Sequence, residues 1–316
     1  MQTLKNYFGY SEQFISPDLP VAMPVLSAEK QDDLAPVMGS TDNIARYVNY
    51  SVAMSKERGF LYFAAANIHG ALFKKASRKD NWRKDDRISY AFQMGEELYK
   101  ASQSNFDRGH MVKREDVQWG NTVLEAQNAA DSTFYYGNAV PQHADLNQKI
   151  WLALEDYILH TESVQHNLRI CVFTGPVLAA TDPIFVTPVN GRDISLPVLF
   201  WKVVVFTKND NQLYRVGFLM GQKKLLLKDQ IIKPETAKQL GLITELFEDF
   251  ASAETYQVNI ATIETLTELT LPKAQDVYQD DRPIKLVLEE VDVPTARFGL
   301  EPFVSELGFR IPNLVL

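Results

Sequence analysis

Asp107-Arg108-Gly109-His110, followed at residues 133–155 by TFYYGNAVPQHADLNQKIWLALE, is the stretch on which the reading of this chain turns. A histidine titrates near neutrality and can remain unprotonated at pH 7 as a base. Arg108 beside it offers planar N–H donors suited to phosphate oxygens. Gly109 would let the backbone come close to a ligand. Hydrolysis of a phosphodiester needs a base to activate water, a cation to stabilise the charged transition state, and help for the leaving oxygen. A lone histidine is more often a structural hydrogen-bonder, so these four residues do not decide between the two roles by themselves.

The second part adds a helical pattern. Asn138 lies within TFYYGNAVPQ, and Asn147, Trp151 and Glu155 follow at i, i+4 and i+8, one slightly drifting stripe of a helix. Leu154 and Ile158 fill the neighbouring face and would anchor it. Asn147 falls in the first turn, where free N–H groups and the helix dipole favour a nearby phosphate. Its carboxamide oxygen is a hard ligand able to hold magnesium without cancelling the ion's charge, and Glu155 could orient one of the ion's waters. The same stripe also suits a helix cap with a solvent-facing acid.

Taken jointly, DRGH and the pattern TFYxxNxxPQxxxLNQxxWxxLE resemble the DNA/RNA non-specific endonucleases, the group of the Serratia-type and mitochondrial endonuclease G-type nucleases. The resemblance continues through RKDNWRKDDRI at 78–88, TGP at 174–176 and FWKVVV at 200–205, so it covers about residues 46–275 in order. It implies an α+β, ββα-metal nuclease fold, with a central antiparallel or mixed sheet flanked by helices. A hairpin would present the histidine, and a helix the metal-binding asparagine.

The activity implied is metal-dependent, sugar-non-specific cleavage of DNA and RNA. His110 becomes the general base and Asn147 the direct ligand of Mg2+, for which Mn2+ can substitute. Asn138 would help place the histidine or the scissile phosphate, and Glu155 would hold a metal-bound water. Arg78 stands where the endonuclease G-type pattern has an arginine that clamps the transition state; the Serratia-type pattern has its arginine at the position of Asp80. Where members often carry an arginine four residues after the helix glutamate, this chain has Leu159, so Arg108 or Arg114 would supply the positive charge. The alternative is a catalytically weakened protein of the same fold, acting as a nucleic-acid-binding or assembly module.

Composition bounds these expectations. Hydrophobic residues at 46% and charged ones at 23% describe an ordinary globular chain rather than a disordered one. A net charge of −8 argues against a passive nucleic-acid coat but admits a local basic patch, and 74–87 carries seven Lys and Arg against Asp80, Asp85 and Asp86. The single cysteine, Cys171, cannot form an intrachain disulfide. The first twenty residues contain no apolar run of signal-peptide length and no 18-residue apolar stretch occurs, so no membrane role is expected. The cytoplasm is the expected setting, with a leader already removed also compatible. DNA and RNA are the expected partners, and a homodimer and an inhibitor or activating partner are admitted. His143 reads as a surface-loop histidine without a role. His69, His160 and His166 lack metal-ligand spacing, which argues against zinc.

Strand-like runs occur at 52–54, 60–66, 168–174, 198–206 and 214–220, and helical patterns at 123–130, 146–159 and 234–251. The run VLFWKVVVF at 198–206 is apolar almost throughout, as a strand covered on both faces should be. Residues 1–45 read as an N-terminal arm, 46–275 as the endonuclease domain, and 276–316 as an acidic and then apolar appendage. The acids of that appendage are opposite in charge to 74–87 and could screen it.

Overall fold

The apolar run at 198–206 lies in the middle of the main sheet. The structure is a computed structural model and describes residues 7–143, 168–233, 254–287, 289–290 and 309–316. In chain order the strands that matter are β1 (Ile44–Arg46), β2 (Tyr50–Met54), β3 (Leu61–His69), β4 (Phe106–His110), β5 (Ala139–His143), β6 (Arg169–Pro176), β7 (Leu199–Thr207), β8 (Leu213–Gly221), β9 (Thr255–Val258), β10 (Gln275–Asp276) and β11 (Ile284–Lys285). Nine of them form one sheet with the path β11-β9-β8-β7-β6-β3-β2-β1, antiparallel at every step, and β10 adds to β8 in parallel.

β7 is hydrogen-bonded on both edges, and Phe200, Trp201, Val203 and Val205 are fully buried. That is why the run lacks polar alternation. Its register is fixed by Val203 facing Phe173 on β6 and Gly217 on β8. A slip by one residue would send each side chain to the opposite face.

Two helices belong to this frame, α1 (Val123–Ser132) and α2 (Ile260–Thr267). A reciprocal capping box starts α1: Glu125 N–H donates to the Thr122 hydroxyl at 3.2 Å, and Thr122 N–H to the Glu125 carboxylate at 3.3 Å. The helix buries the small residues Ala126, Ala129 and Ala130, which permits close approach to its neighbours. Tyr50 on β2 donates its hydroxyl to Ser132 O at 2.6 Å and fastens the end of α1 to the sheet. The helical patterns at 146–159 and 234–251 lie outside the described residues.

The terminal segments are docked on this frame, in part through a separate two-stranded sheet. Residues 44 and 45, expected in the arm, form part of β1, and Val25–Leu26 pairs with Leu269–Thr270. Tyr10 is buried and donates its hydroxyl to Val21 O at 2.7 Å, while Ser11 N–H donates to Asn67 Oδ1 at 2.7 Å. At the other end β11 extends the sheet beyond β9. Gln257 donates to Val315 O at 2.8 Å and accepts Val315 N–H at 3.0 Å. Docking through backbone and amide bonds leaves no hydrophobic periodicity, so the pattern of these segments suggested loose chain. The described acids of the appendage act locally: Asp276 pairs with Arg215, and Asp281 accepts from Asn259 at 3.1 Å. Screening of the 74–87 stretch is not how these two are used.

Gly175, within the TGP triplet, marks a close approach of β6 to β3. A Cβ there would lie 2.5 Å from Tyr62 O and 3.3 Å from Phe63 Cα, both backbone atoms. Gly175→Ala should therefore cost about 1–3 kcal/mol, as overpacking of a dense interior does. Urea unfolding should show a lower midpoint at unchanged slope; an unmoved midpoint would show that the two strands can spread.

Candidate active site

The DRGH residues form strand β4, paired antiparallel with β5: Phe106 faces His143, Asp107 faces Gln142, Gly109 faces Val140 and His110 faces Ala139. The pair is joined through α1 rather than by a tight turn. Phe106 is buried against Phe185, with ring centroids 5.2 Å apart, and anchors the start of β4. Gly109 is needed for a reason different from the one expected. A Cβ there would fall 2.2–2.5 Å from the side-chain atoms of Gln142, so the open space serves a neighbouring residue rather than a ligand.

Gln142 is itself a site residue that the sequence reading passed over. It is only 1% exposed, and both of its amide atoms lack a hydrogen-bond partner among the described residues. A buried carboxamide left in that state is costly unless a ligand or water completes it.

His110, at the end of β4, packs its ring between Trp82 (4.7 Å between centroids) and Phe134 (5.1 Å, edge-on). Its Nε2 is buried without a hydrogen-bond partner among the described residues. Burial, and then the charges of Arg78 and Arg114, push its pKa from 6.5 down to about 3, with Asp80 opposing. At pH 7 the imidazole is thus neutral and able to accept a proton.

Arg108 sits in an aromatic cradle. Its guanidinium carbon lies 5.9 Å from the Trp82 ring and 5.4 Å from that of Tyr99. Tyr136 stacks on both rings, at 5.6 Å from Trp82 and 5.9 Å from Tyr99. These contacts hold a planar cation at little entropic cost, and Arg108 Nε remains buried and unpartnered among the described residues. Trp82, Tyr99 and Tyr136 escaped the sequence reading because an aromatic residue far along the chain reads as core.

Asn138 was expected to help place the histidine or the phosphate; its bonds run to Val112, two residues after His110, and to Thr133. Asn138 is fully buried, its Oδ1 accepts Val112 N–H at 2.9 Å, and its Nδ2 donates to Val112 O at 3.0 Å and Thr133 O at 3.1 Å. The chain immediately after His110 is thereby fixed, and no donor remains for a phosphate. Arg78 is exposed and its Nε donates to Asp80 Oδ1 at 2.7 Å. Arg114 donates to Ala76 O at 3.3 Å and lies 3.5 Å from Glu115. Asn147, Glu155 and Leu159 lie outside the described residues. Among the described residues no group of three His, Cys, Asp or Glu could hold a metal ion.

His143 is not the surface-loop residue expected. It is 5% exposed at the end of β5, its Nε2 stands 2.7 Å from Asp229 Oδ2, and its N–H donates to Gln222 Oε1 at 2.9 Å. Its partners are 79 and 86 residues away, beyond the reach of any local pattern.

The histidine strand, the Asn138 turn just ahead of its partner strand, and Arg78, Arg108 and Arg114 are thus the groups gathered at this site. The family of DNA/RNA non-specific endonucleases matches residues 34–277, and the chain belongs to it. An uncharacterised protein of Sinorhizobium fredii, y4fB, is 34% identical over 235 residues, which are 70% of this chain and 34% of that protein. The chain thus spans about a third of that relative's length. Mitochondrial endonuclease G of Bos taurus is 26% identical over 65% of this chain and 73% of its own length. Human mitochondrial endonuclease G is 28% identical over 45% of this chain and 47% of its own. Among solved structures, the complex of EndoG with EndoGI, described as a mechanism of EndoG inhibition, gives a TM-score of 0.52 at 18% identity. It covers 73% of this chain and 86% of that one. The fold is accordingly the mixed α+β arrangement expected for a ββα-metal nuclease.

The charge state of His110 can be measured directly. Its folded pKa lies below the ordinary 6.5, so between the two values the unfolded chain binds the proton first. The stability that His110 contributes is intact above about 6.5 and is eroded as pH falls through that window. In NMR spectra assigned by comparison with His110→Gln, its ring signals should hold their neutral positions from pH 8 down to about 5. A titration midpoint between about 6 and 7 would contradict the geometry.

Proposed function

We propose that this protein is a metal-dependent endonuclease that hydrolyses phosphodiester bonds in DNA and RNA with little sequence preference, with His110 as general base. The observation that carries the reading is a neutral imidazole with an unpartnered Nε2, ringed by the cations Arg108, Arg78 and Arg114. His110 takes a proton from water as that water attacks phosphorus. Arg108, held flat by its cradle, receives the phosphate oxygens, and Arg78 and Arg114 add charge on the side of Asp80. Asn138 keeps His110 in register through Val112. A backbone recognised by shape and charge requires no contact to base edges.

Magnesium, or manganese in its place, is the ion that the family resemblance implies, and its assigned ligands lie outside the described residues. Magnesium prefers hard oxygen ligands and keeps several of its waters, so few protein ligands are required of the chain. Asn147 is assigned as its direct ligand and Glu155 as the group that orders solvent beside it. When bound, the ion supplies charge that stabilises the leaving oxygen. The inhibitor complex of the structural neighbour supports a protein inhibitor as a partner, and a homodimer and a cytoplasmic setting belong to the same proposal.

Leu159, in place of a family arginine, favours a second reading, a weakened enzyme that serves as a nucleic-acid-binding or assembly module. Plasmid digestion with and without magnesium separates the two. In that assay His110→Ala should lower cleavage about 10²–10⁴-fold, the usual contribution of a general base, with an unchanged circular dichroism spectrum. Cleavage within about twofold of the parent would remove His110 from the role.

Asn147 is tested by its affinity for manganese as well as by rate. Asn147→Ala should weaken binding in calorimetric titration, and cleavage should not recover at high metal. Asn147→Asp keeps an oxygen and adds a charge, so it should bind manganese more tightly while cleaving more slowly. Equal affinity in both variants would end the assignment.

A further inference from the structure

The chain at 76–82 is pinned at both ends beside His110. Arg114 donates to Ala76 O at 3.3 Å. Gln127, on α1, accepts both the N–H and the hydroxyl of Ser77 at 2.9 Å and returns a bond from its Nε2 to Ser77 O at 2.9 Å. At the other end Trp82 packs against the His110 ring, 4.7 Å between centroids. Arg78, Lys79 and Asp80 lie exposed between these anchors, and Arg78 Nε holds Asp80 Oδ1 at 2.7 Å.

Such an ion pair does little for the fold, because its side chains are 64% and 54% exposed and water competes for both charges. Its position is more informative. Arg78 and Asp80 act with opposite sign on His110, and both are felt by Arg114. Asp80 is thus a carboxylate held among the cations that act on the histidine, where an incoming phosphate has to find its own counter-charge.

We propose that Asp80 is a built-in competitor of the substrate, occupying the Arg78 guanidinium until a backbone phosphate of the nucleic acid displaces it. The identity of the displacing polyanion rests on the nuclease reading above. The exchange itself follows from the geometry: Asp80 is tethered two residues from Arg78 and continues to repel the phosphate after it has let go. Asp80 therefore sets the affinity for the polyanion below what the arginines alone would give.

Asp80→Asn keeps the shape and removes the charge. Binding of a fluorescein-labelled single-stranded oligonucleotide, followed by anisotropy in EDTA so that no cleavage intervenes, should tighten about three- to tenfold at low salt. The gain should shrink as salt rises, and KM for cleavage should fall by the same factor. In an Arg78→Gln background the gain should vanish. Asp86→Asn removes an equal charge from the same stretch and should give a clearly smaller effect. Unchanged or weaker binding by Asp80→Asn overturns the proposal, as does an equal gain from Asp86→Asn or in the Arg78→Gln background. A parent protein with no measurable affinity for the oligonucleotide overturns it too. Failure of the nuclease reading shows separately, as absence of cleavage in magnesium while binding and the exchange persist.

Discussion

The carboxamide of Asn138 is buried just ahead of β5 and bonds to two other pieces of chain, at Val112 and at Thr133. Its oxygen and nitrogen take both backbone groups of Val112, its nitrogen also reaches Thr133 at the end of α1, and its own carbonyl accepts Met111 N–H at 2.9 Å. Without these bonds the chain after His110 would leave buried N–H and C=O groups unsatisfied, at about 1–3 kcal/mol each. The histidine strand, the helix and the returning strand β5 are thus coupled through one side chain with no exposed surface. Gln142, four residues further along, lies over Gly109 on the same pair of strands. The bonds of Asn138 fix the backbone just after the histidine, while Trp82 and Phe134 hold its ring.

Electrostatics at the site run against the charge of the whole chain. With a net charge of −8, long-range attraction of a polyanion is not provided by the overall balance, so any capture depends on local grouping. Much of the basic stretch is already committed. Arg87 makes a two-pronged contact with the buried Asp85, whose other partner is the Tyr47 hydroxyl at 2.7 Å. Lys84 pairs with Glu97, and Arg83 lies over the Tyr135 ring at 4.0 Å. The sequence reading treated 74–87 as a single patch. In the fold its second half secures the loop to the sheet, and Arg78 and Asp80 of its first half, with Arg114, carry charge felt by His110.

The parts of the fold legible in sequence were those governed by short-range rules. The five strand runs and the helical pattern at 123–130 depend on neighbours within a few residues. DRGH was legible as chemistry, although the use of Gly109 was misread, since its crowding neighbour lies 33 positions away. His143 could not be placed because Asp229 and Gln222 meet it only through tertiary structure. The terminal segments were read as peripheral because they bind by backbone pairing and single amides, which leave no period in the hydrophobic pattern. The rival positions for the clamp arginine, 78 and 80, turn out to be partners in one ion pair.

The cradle of Arg108 shows why side-chain type matters more than charge at this site. A lysine would bring the same charge, but its ammonium is compact, strongly hydrated and carried on a flexible stem. The rings of Trp82 and Tyr99 present flat faces that suit a planar, weakly hydrated guanidinium, and Tyr136 stacks on both. Trp82 contacts His110 as well, so the ring that orients the cation also borders the base. The distance between the two groups is therefore set by an indole rather than by two independent side-chain rotamers. Arg108 and His110, at i and i+2 of β4, share one face of the strand, and in the proposed reaction this coupling would present base and cation to a phosphate together.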